Sequence, residues 1–320
     1  LFIDVQTQKL YSTNGDVLDI SNPTNPSFLF HMGFSSHDMW IENDTGYFNC
    51  TSNGLQIYEM GTNSPVYIAS LTSYPQQGTN HSGWKKDNIY VLADENHGLA
   101  LKVIDVSNLN NLQVIALFNS GVSLNSIAHN LIIRDNFVYV SYYHDGLQIF
   151  DISNPYNPVK AGYYDTYLPN NHNGYAGNWG VDPKLPSGII LASDVQSGLF
   201  VLEFDYHEQV ICNGDSLLLD SSYVNTPGFH VSNTIDSLGY PDIVVMELST
   251  IPITSSTQSF SICAGDSLVV GSSVYTFFGN YTDTLSSFYG CDSIIYTNLI
   301  VTNNSYSFDT LVTSVGVLWN

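Results

Sequence analysis

GLQIFDISNPYNP, residues 146–158, is a glycine, a run of alternating apolar residues, an acid and a Ser-Asn-Pro turn, and the chain repeats it. Versions of the phrase begin at Gly15 (GDVLDISNPTNP), Gly54 (GLQIYEM), Gly98 (GLALKVIDVSN) and Gly198 (GLFVLEF). The lead glycines are 39, 44, 48 and 52 residues apart. A period of about 40–50 residues holding several short strands is what a β-propeller blade requires. Between the glycines each period divides into four strand-like runs separated by Gly-, Asn- and Pro-rich turns. One period reads HDMWIEN, GYFNCTS, GLQIYEM and PVYIASL. The fifth period has no obvious outer strand after Phe204.

Beyond about residue 206 a second repeat takes over. VICNGDSLLL from Val210 and SICAGDSLVV from Ser261 place their cysteines 51 residues apart, and the second copy closes on YGCDSIIYTNLIV with Cys291. The matching place in the first copy reads LGYPDIVVMEL, with Tyr240 where the second has cysteine. Each copy has the size of a small Ig-like β-sandwich. The expected fold is therefore all-β: a propeller of at least five blades over 1–206, forming an incomplete ring, then small sandwich repeats. The first repeat, over 207–256, is degenerate; the second covers 257–303, and a third begins within 304–320. Cys263 and Cys291 are expected to form a disulfide stapling opposite ends of the second module, as suits an oxidising setting. Cys50 reads as a small buried apolar residue.

Composition narrows the partners. Seven basic against 29 acidic residues give a formal charge of −22, which repels nucleic acid, because such affinity rests on lysine and arginine displacing counterions. No run approaches the roughly 20 apolar residues of a membrane-spanning helix.

The blade region resembles the LVIVD-repeat β-propellers, and within them the choice-of-anchor B family of bacterial surface proteins. The phrases that carry the likeness are DISNPTNP (19–26), HDMWI (37–41), HSGW (81–84) followed by ADE (93–95), AHNLII (128–133), AGYYDTY (161–167) and NWGVDPKLPSGIILASDVQSGLFVL (178–202). The second region is similar to the ICxGDS…GCDS repeats of surface proteins exported by type IX secretion. These resemblances imply an extracellular protein at the outer surface of a Gram-negative bacterium, and the leading expectation is that it is non-catalytic. The propeller would be a binding or adhesion platform for an extracellular protein or glycan, on a β-sandwich stalk.

The residues that could carry chemistry are histidines in register. His37, His81 and His129 each precede their lead glycine by 17 residues, at the start of an innermost strand. His172 precedes Gly198 by 26. Loops between second and third strands should emerge on the same face, bringing Asp94, Glu95 and His144 towards them, while Asp38 adjoins His37. His37, His81 and His129 are candidate metal ligands. Imidazole nitrogens suit zinc and the nearby carboxylates suit calcium, which leaves a metal-dependent extracellular hydrolase acting on a polysaccharide or ester as the alternative function. The competing structural reading is that each histidine hydrogen-bonds the backbone of the next blade. No GxSxG, HExxH, GxGxxG or P-loop motif is present.

Overall fold

The computed structural model describes residues 1–303 apart from 62–63, 170, 173, 220–221, 236–240 and 287–289. The expected third repeat over 304–320 and Tyr240 lie outside the described residues. Among the described residues every regular element is a strand, and no helix is long and apolar enough to cross a membrane. The chain forms two compact units, Leu1–His207 with Phe229–Glu247, and Glu208–Gly228 with Leu248–Asn320.

The first unit contains five successive up-and-down antiparallel sheets. The first is β1 (Phe2–Asp4), β2 (Lys9–Tyr11), β3 (Asp16–Asp19) and β4 (Ser27–His31). The second is β5 (Asp38–Glu42), β6 (Thr45–Asn49), β7 (Leu55–Met60) and β8 (Pro65–Leu71). The third is β9 (Asn80–Lys86), β10 (Ile89–Asp94), β11 (Leu101–Asp105) and β12 (Gln113–Phe118). The fourth is β13 (Leu131–Arg134), β14 (Phe137–Ser141), β15 (Leu147–Asp151) and β16 (Val159–Tyr164). The fifth has three strands, β17 (Asn178–Asp182), β18 (Ile190–Asp194) and β19 (Gly198–Leu202).

The repeated phrase makes the same local structure each time. Asp19, Asp105 and Asp151 accept hydrogen bonds from the backbone N–H of Ser21, Ser107 and Ser153 at 2.7–2.8 Å, capping the turn between third and fourth strands. A register shift then recurs between those strands in each of the four-stranded sheets. The lead glycine is required on two counts at Gly146, where φ is +70° and a Cβ would lie 2.1 Å from the Tyr164 carbonyl oxygen. Gly98 repeats this, with φ +73° and the Leu124 carbonyl at 2.4 Å.

Strands alternate their side chains between two faces, and here both faces of the inner sheets are buried. Tyr47 packs towards Tyr90 of the third sheet, while its neighbour Phe48 packs towards Tyr11 and Val17 of the first. Four apolar layers result, one between each pair of consecutive sheets. β1, β5, β9, β13 and β17 adjoin one another in turn, so the first strand of every sheet is the innermost. Cys50 is buried in the layer between the first two sheets, and burial pushes its thiol up to about 11.

The second repeat recurs in structure too. Copy one supplies β20 (His207–Cys212), β21 (Leu217–Leu219), β22 (Ser222–Val224), β23 (Gly228–Ile235) and β24 (Pro241–Ile251). Copy two supplies β25 (Thr254–Cys263), β26 (Leu268–Val270), β27 (Ser273–Tyr275), β28 (Gly279–Ser286) and β29 (Asp292–Thr302). Copy two is a three-stranded sheet of order β25-β29-β28 with a β26–β27 hairpin, and β25 runs parallel to β29. The turns correspond: Asp215 N–H donates to the Cys212 carbonyl and Asp266 N–H to the Cys263 carbonyl.

The cysteine pairing differs from expectation. The disulfide joins Cys212 to Cys291, with Cα atoms 5.4 Å apart, and Cys263 is a free, exposed thiol. Parallel pairing is the reason Cys263 cannot bond Cys291. The register sets Thr254 against Ser293 and Cys263 against Thr302, so Cys263 stands at the far end of β29 from Cys291. The eleven residues from Cys291 to Thr302 span about 36 Å of extended chain. Cys212 instead lies beside Ile251, whose carbonyl accepts from Asn213 N–H, three residues before β25 starts opposite Ser293.

Candidate functional site

The inner strands bring the registered histidines into one file. His37 stacks on His81 with ring centroids 3.9 Å apart, and His81 on His129 at 4.5 Å. His37 and His129 turn Nδ1 towards the backbone of the next sheet. His37 Nδ1 lies 3.2 Å from the His81 carbonyl, and His129 Nδ1 lies 2.5 Å from that of Trp179. A carbonyl only accepts, so Nδ1 of His129 carries the proton and Nε2 keeps a lone pair. The expected contact with the backbone of the next sheet is thus present for His37 and His129, and it leaves the Nε2 of each unused by that contact.

Glu95 completes the group. It follows β10 at the start of the loop to β11, and its carboxylate reaches back over the histidines. Oε2 stands 3.3 Å from His81 Nε2, and Oε1 stands 3.8 Å from His129 Nε2. Tyr143 donates its hydroxyl to Oε1 at 2.5 Å. Tyr143 sits in the left-handed region at φ +43°, held by paired backbone hydrogen bonds with Asn178. Thr51 and Asn80 repeat that bridge in an earlier sheet, so the conformation belongs to the architecture, and it aims the Tyr143 ring at Glu95.

Burial dominates the electrostatics here. It lowers the His81 pKa to about 3, helped by the neighbouring His129 and His37 rings. Burial also lowers His129, opposed by the Trp179 carbonyl and the Glu95 charge. Burial and Glu95 raise the Tyr143 hydroxyl, which stays protonated. Both buried imidazoles are neutral at pH 7. In the unfolded chain His81 would protonate near pH 6.5, while in the fold it does so only near 3. Its contribution to the stability of the metal-free protein is therefore complete above about pH 6.5 and is lost as the pH falls towards 3. The slope should reach at most about 1.4 kcal/mol per pH unit for this one group. Urea midpoints followed by tryptophan fluorescence at pH 7, 6, 5 and 4 check this. A His81→Asn variant should show a shallower decline, and equal slopes would count against it.

The remaining candidates divide between other places. Asp94 is buried under Tyr74 and Lys102, accepting from the Tyr74 hydroxyl at 2.8 Å and from Lys102 Nζ at 2.6 Å, so it serves the core. Asp38 is half-buried beside the Gly83 N–H, and burial raises its carboxyl. His144 and His172 form a second cluster, with rings 5.4 Å apart and His172 Nε2 2.7 Å from Asp145 Oδ1. Of the three expected metal ligands, the structure brings His81 and His129 together with Glu95, while His37 stacks outside that group.

Tyr143 and Tyr175 were not legible as site residues. The only signal was aromatic richness next to the His144-Asp145-Gly146 turn. Trp40 and Trp84 stack at 4.4 Å, with Lys184 Nζ 4.2 Å over the Trp84 ring, so this pair is covered. Trp179, stacked on His129 at 4.4 Å, is 48% exposed.

The LVIVD repeat family matches residues 14–32 and 126–166. No curated protein matches the chain. Among solved structures, the computationally designed Ika8 protein is similar at 13% identity and TM-score 0.40, over 61% of this chain and 54% of that one. This chain thus spans about half of the Ika8 protein. The computationally designed Ika4 protein is similar at 12% identity and TM-score 0.39, over 55% and 98% of the two chains. YCF48, solved bound to a D1 peptide, is similar at 10% identity and TM-score 0.45, over 63% and 62%. Both matched segments lie in the first compact unit, so that unit contains LVIVD repeats within its succession of up-and-down antiparallel sheets.

Proposed function

We propose that the chain is a non-catalytic surface protein whose propeller is a binding or adhesion platform and whose second repeat region is a stalk of sandwich modules. The observation that carries this is an exposed aromatic group around Glu95. Tyr175 is 52% exposed and packs on Tyr143 at 5.4 Å and on His97 at 6.0 Å, next to Trp179. Rings with an apolar body and a polar tip, set on a rigid scaffold, suit recognition of an extracellular protein or glycan. The reading places the protein outside a Gram-negative cell, as a choice-of-anchor B protein of the type IX route. The acidic composition and the Cys212–Cys291 disulfide support an oxidising exterior. An incomplete ring is supported by the uncovered apolar faces of the first and fifth sheets, where Phe28 and Leu199 are more than 60% exposed.

The test is to probe glycan and peptide arrays with the labelled chain beside a Tyr175→Ala/Trp179→Ala variant of unchanged circular dichroism. Binding to a defined ligand class, weakened at least tenfold in the variant, is expected. Equal binding by both proteins, or no binding by the wild type on any array, overturns the reading. The alternative, a metal-dependent hydrolase, draws on the grouping of His81, His129 and Glu95. It calls for zinc-stimulated cleavage of an ester or polysaccharide.

A further inference from the structure

We propose that His81, Glu95 and His129 form a binding site for one divalent transition-metal ion of the zinc type. The proposal stands apart from the reading of the aromatic surface, since it concerns what lies beneath that surface. Nε2 of both histidines and an oxygen of Glu95 lie within 4.8 Å of one another, and both rings are buried.

Three features of the group call for a cation. The Trp179 carbonyl holds the proton of His129 on Nδ1, which leaves the Nε2 lone pair facing the Glu95 carboxylate at 3.8 Å. A cation placed between the Nε2 lone pair and the carboxylate would bind both electron-rich atoms at once. A carbonyl accepting from the far nitrogen of a ligand imidazole is also the usual outer support of a metal site, since it orients the ring and raises its basicity. Tyr143 supplies the same support to the carboxylate, donating to Oε1 at 2.5 Å.

The donor set indicates the ion. Two imidazole nitrogens and one carboxylate oxygen suit zinc and its neighbours in the first transition row, whereas calcium takes oxygen ligands almost throughout. Bonds of about 2.0–2.1 Å place tetrahedral ligands roughly 3.3 Å apart. His81 at 3.3 Å from Oε2 already meets this, while His129 stands 3.8 Å from the other oxygen, Oε1, and the three ligand atoms lie within 4.8 Å, so binding an ion draws the group together. Three protein ligands leave a fourth position for water or a bound molecule. His37 is outside the set: it stacks on His81 and gives its Nδ1 to the His81 carbonyl.

The experiment is equilibrium dialysis of the full chain, stripped with chelator, against buffered zinc, read by elemental analysis. One tightly held zinc per chain is expected. Glu95→Gln and His129→Ala should weaken that zinc at least 100-fold, and His37→Ala should change it by less than threefold. No retained zinc in the wild type, or equal retention in Glu95→Gln, overturns the proposal. Should the variants lose their circular dichroism, the zinc X-ray absorption spectrum of the wild-type chain decides without any substitution. Two imidazole ligands with oxygen at the remaining positions support the site, and one imidazole or none overturns it.

Discussion

Replacing Lys102 by alanine should lower the unfolding free energy of the first unit by about 3–5 kcal/mol, the range for breaking a buried ion pair from one side. Lys102 is fully buried on β11, with Nζ 2.6 Å from Asp94 Oδ2, and Asp94 is buried with it. Burial alone would discharge the lysine, and it does lower the Lys102 pKa; the Asp94 hydrogen bond and charge oppose that. Removing the lysine leaves the carboxylate with the Tyr74 hydroxyl and no counter-charge in a water-poor layer. The repeat supplies the control. The same strand position in the second and fourth sheets holds Gln56 and Gln148, each donating to the backbone of its own turn. A Lys102→Gln/Asp94→Asn double variant, which removes both charges, should recover most of the loss. Urea unfolding followed by tryptophan fluorescence measures both. A single variant within 1 kcal/mol of wild type would show that the pair carries little. Asp94 precedes Glu95, so the single variant should also disturb the position of the Glu95 carboxylate.

Cys212→Ser should destabilise the second unit by about 4 kcal/mol. The bond closes a loop with a sequence separation of 79, and the chain-entropy estimate for a loop of that order is between the roughly 3 kcal/mol of a 15-residue loop and 4.7 kcal/mol of a 100-residue one. The pairing itself is checked by mass spectrometry of a non-reduced digest, where a peptide joining Cys212 and Cys291 is expected. Maleimide should label Cys263 in the native protein at once and Cys50 only after unfolding, because the first is exposed and the second buried. A Cys263–Cys291 peptide in the digest would mean that β25 and β29 do not run parallel in the register described.

Most of the five-sheet unit was legible in its repeated phrase, because each part of that phrase acts over a few residues. Gly146 and Gly98 take a backbone conformation that other residues resist, and Asp105 and Asp151 cap the next turn. The 17-residue spacing from histidine to glycine likewise put His37, His81 and His129 at inner-strand starts, where the structure has them. The three-stranded fifth sheet followed from the missing apolar run after Phe204.

The partners of those residues came only from tertiary structure. Glu95 meets His81 and His129 because the loop after β10 folds back over the innermost strands, and nothing in the phrase gives a loop its path. Tyr143 reaches Glu95 through a bridge to Asn178, a residue of the next sheet. Lys102 is one charge among positions that elsewhere hold glutamine, and only its burial against Asp94 gives it weight. The cysteines make the same point. Their spacing marked a repeat, but strand direction decided the bond, since a parallel β25 and β29 carry Cys263 to the far end of the sheet and leave Cys291 beside Cys212. Sequence by itself determined what recurs within a few residues of each lead glycine. Tertiary structure decided which side chains meet across sheets, because such contacts depend on strand direction and loop path over tens of residues.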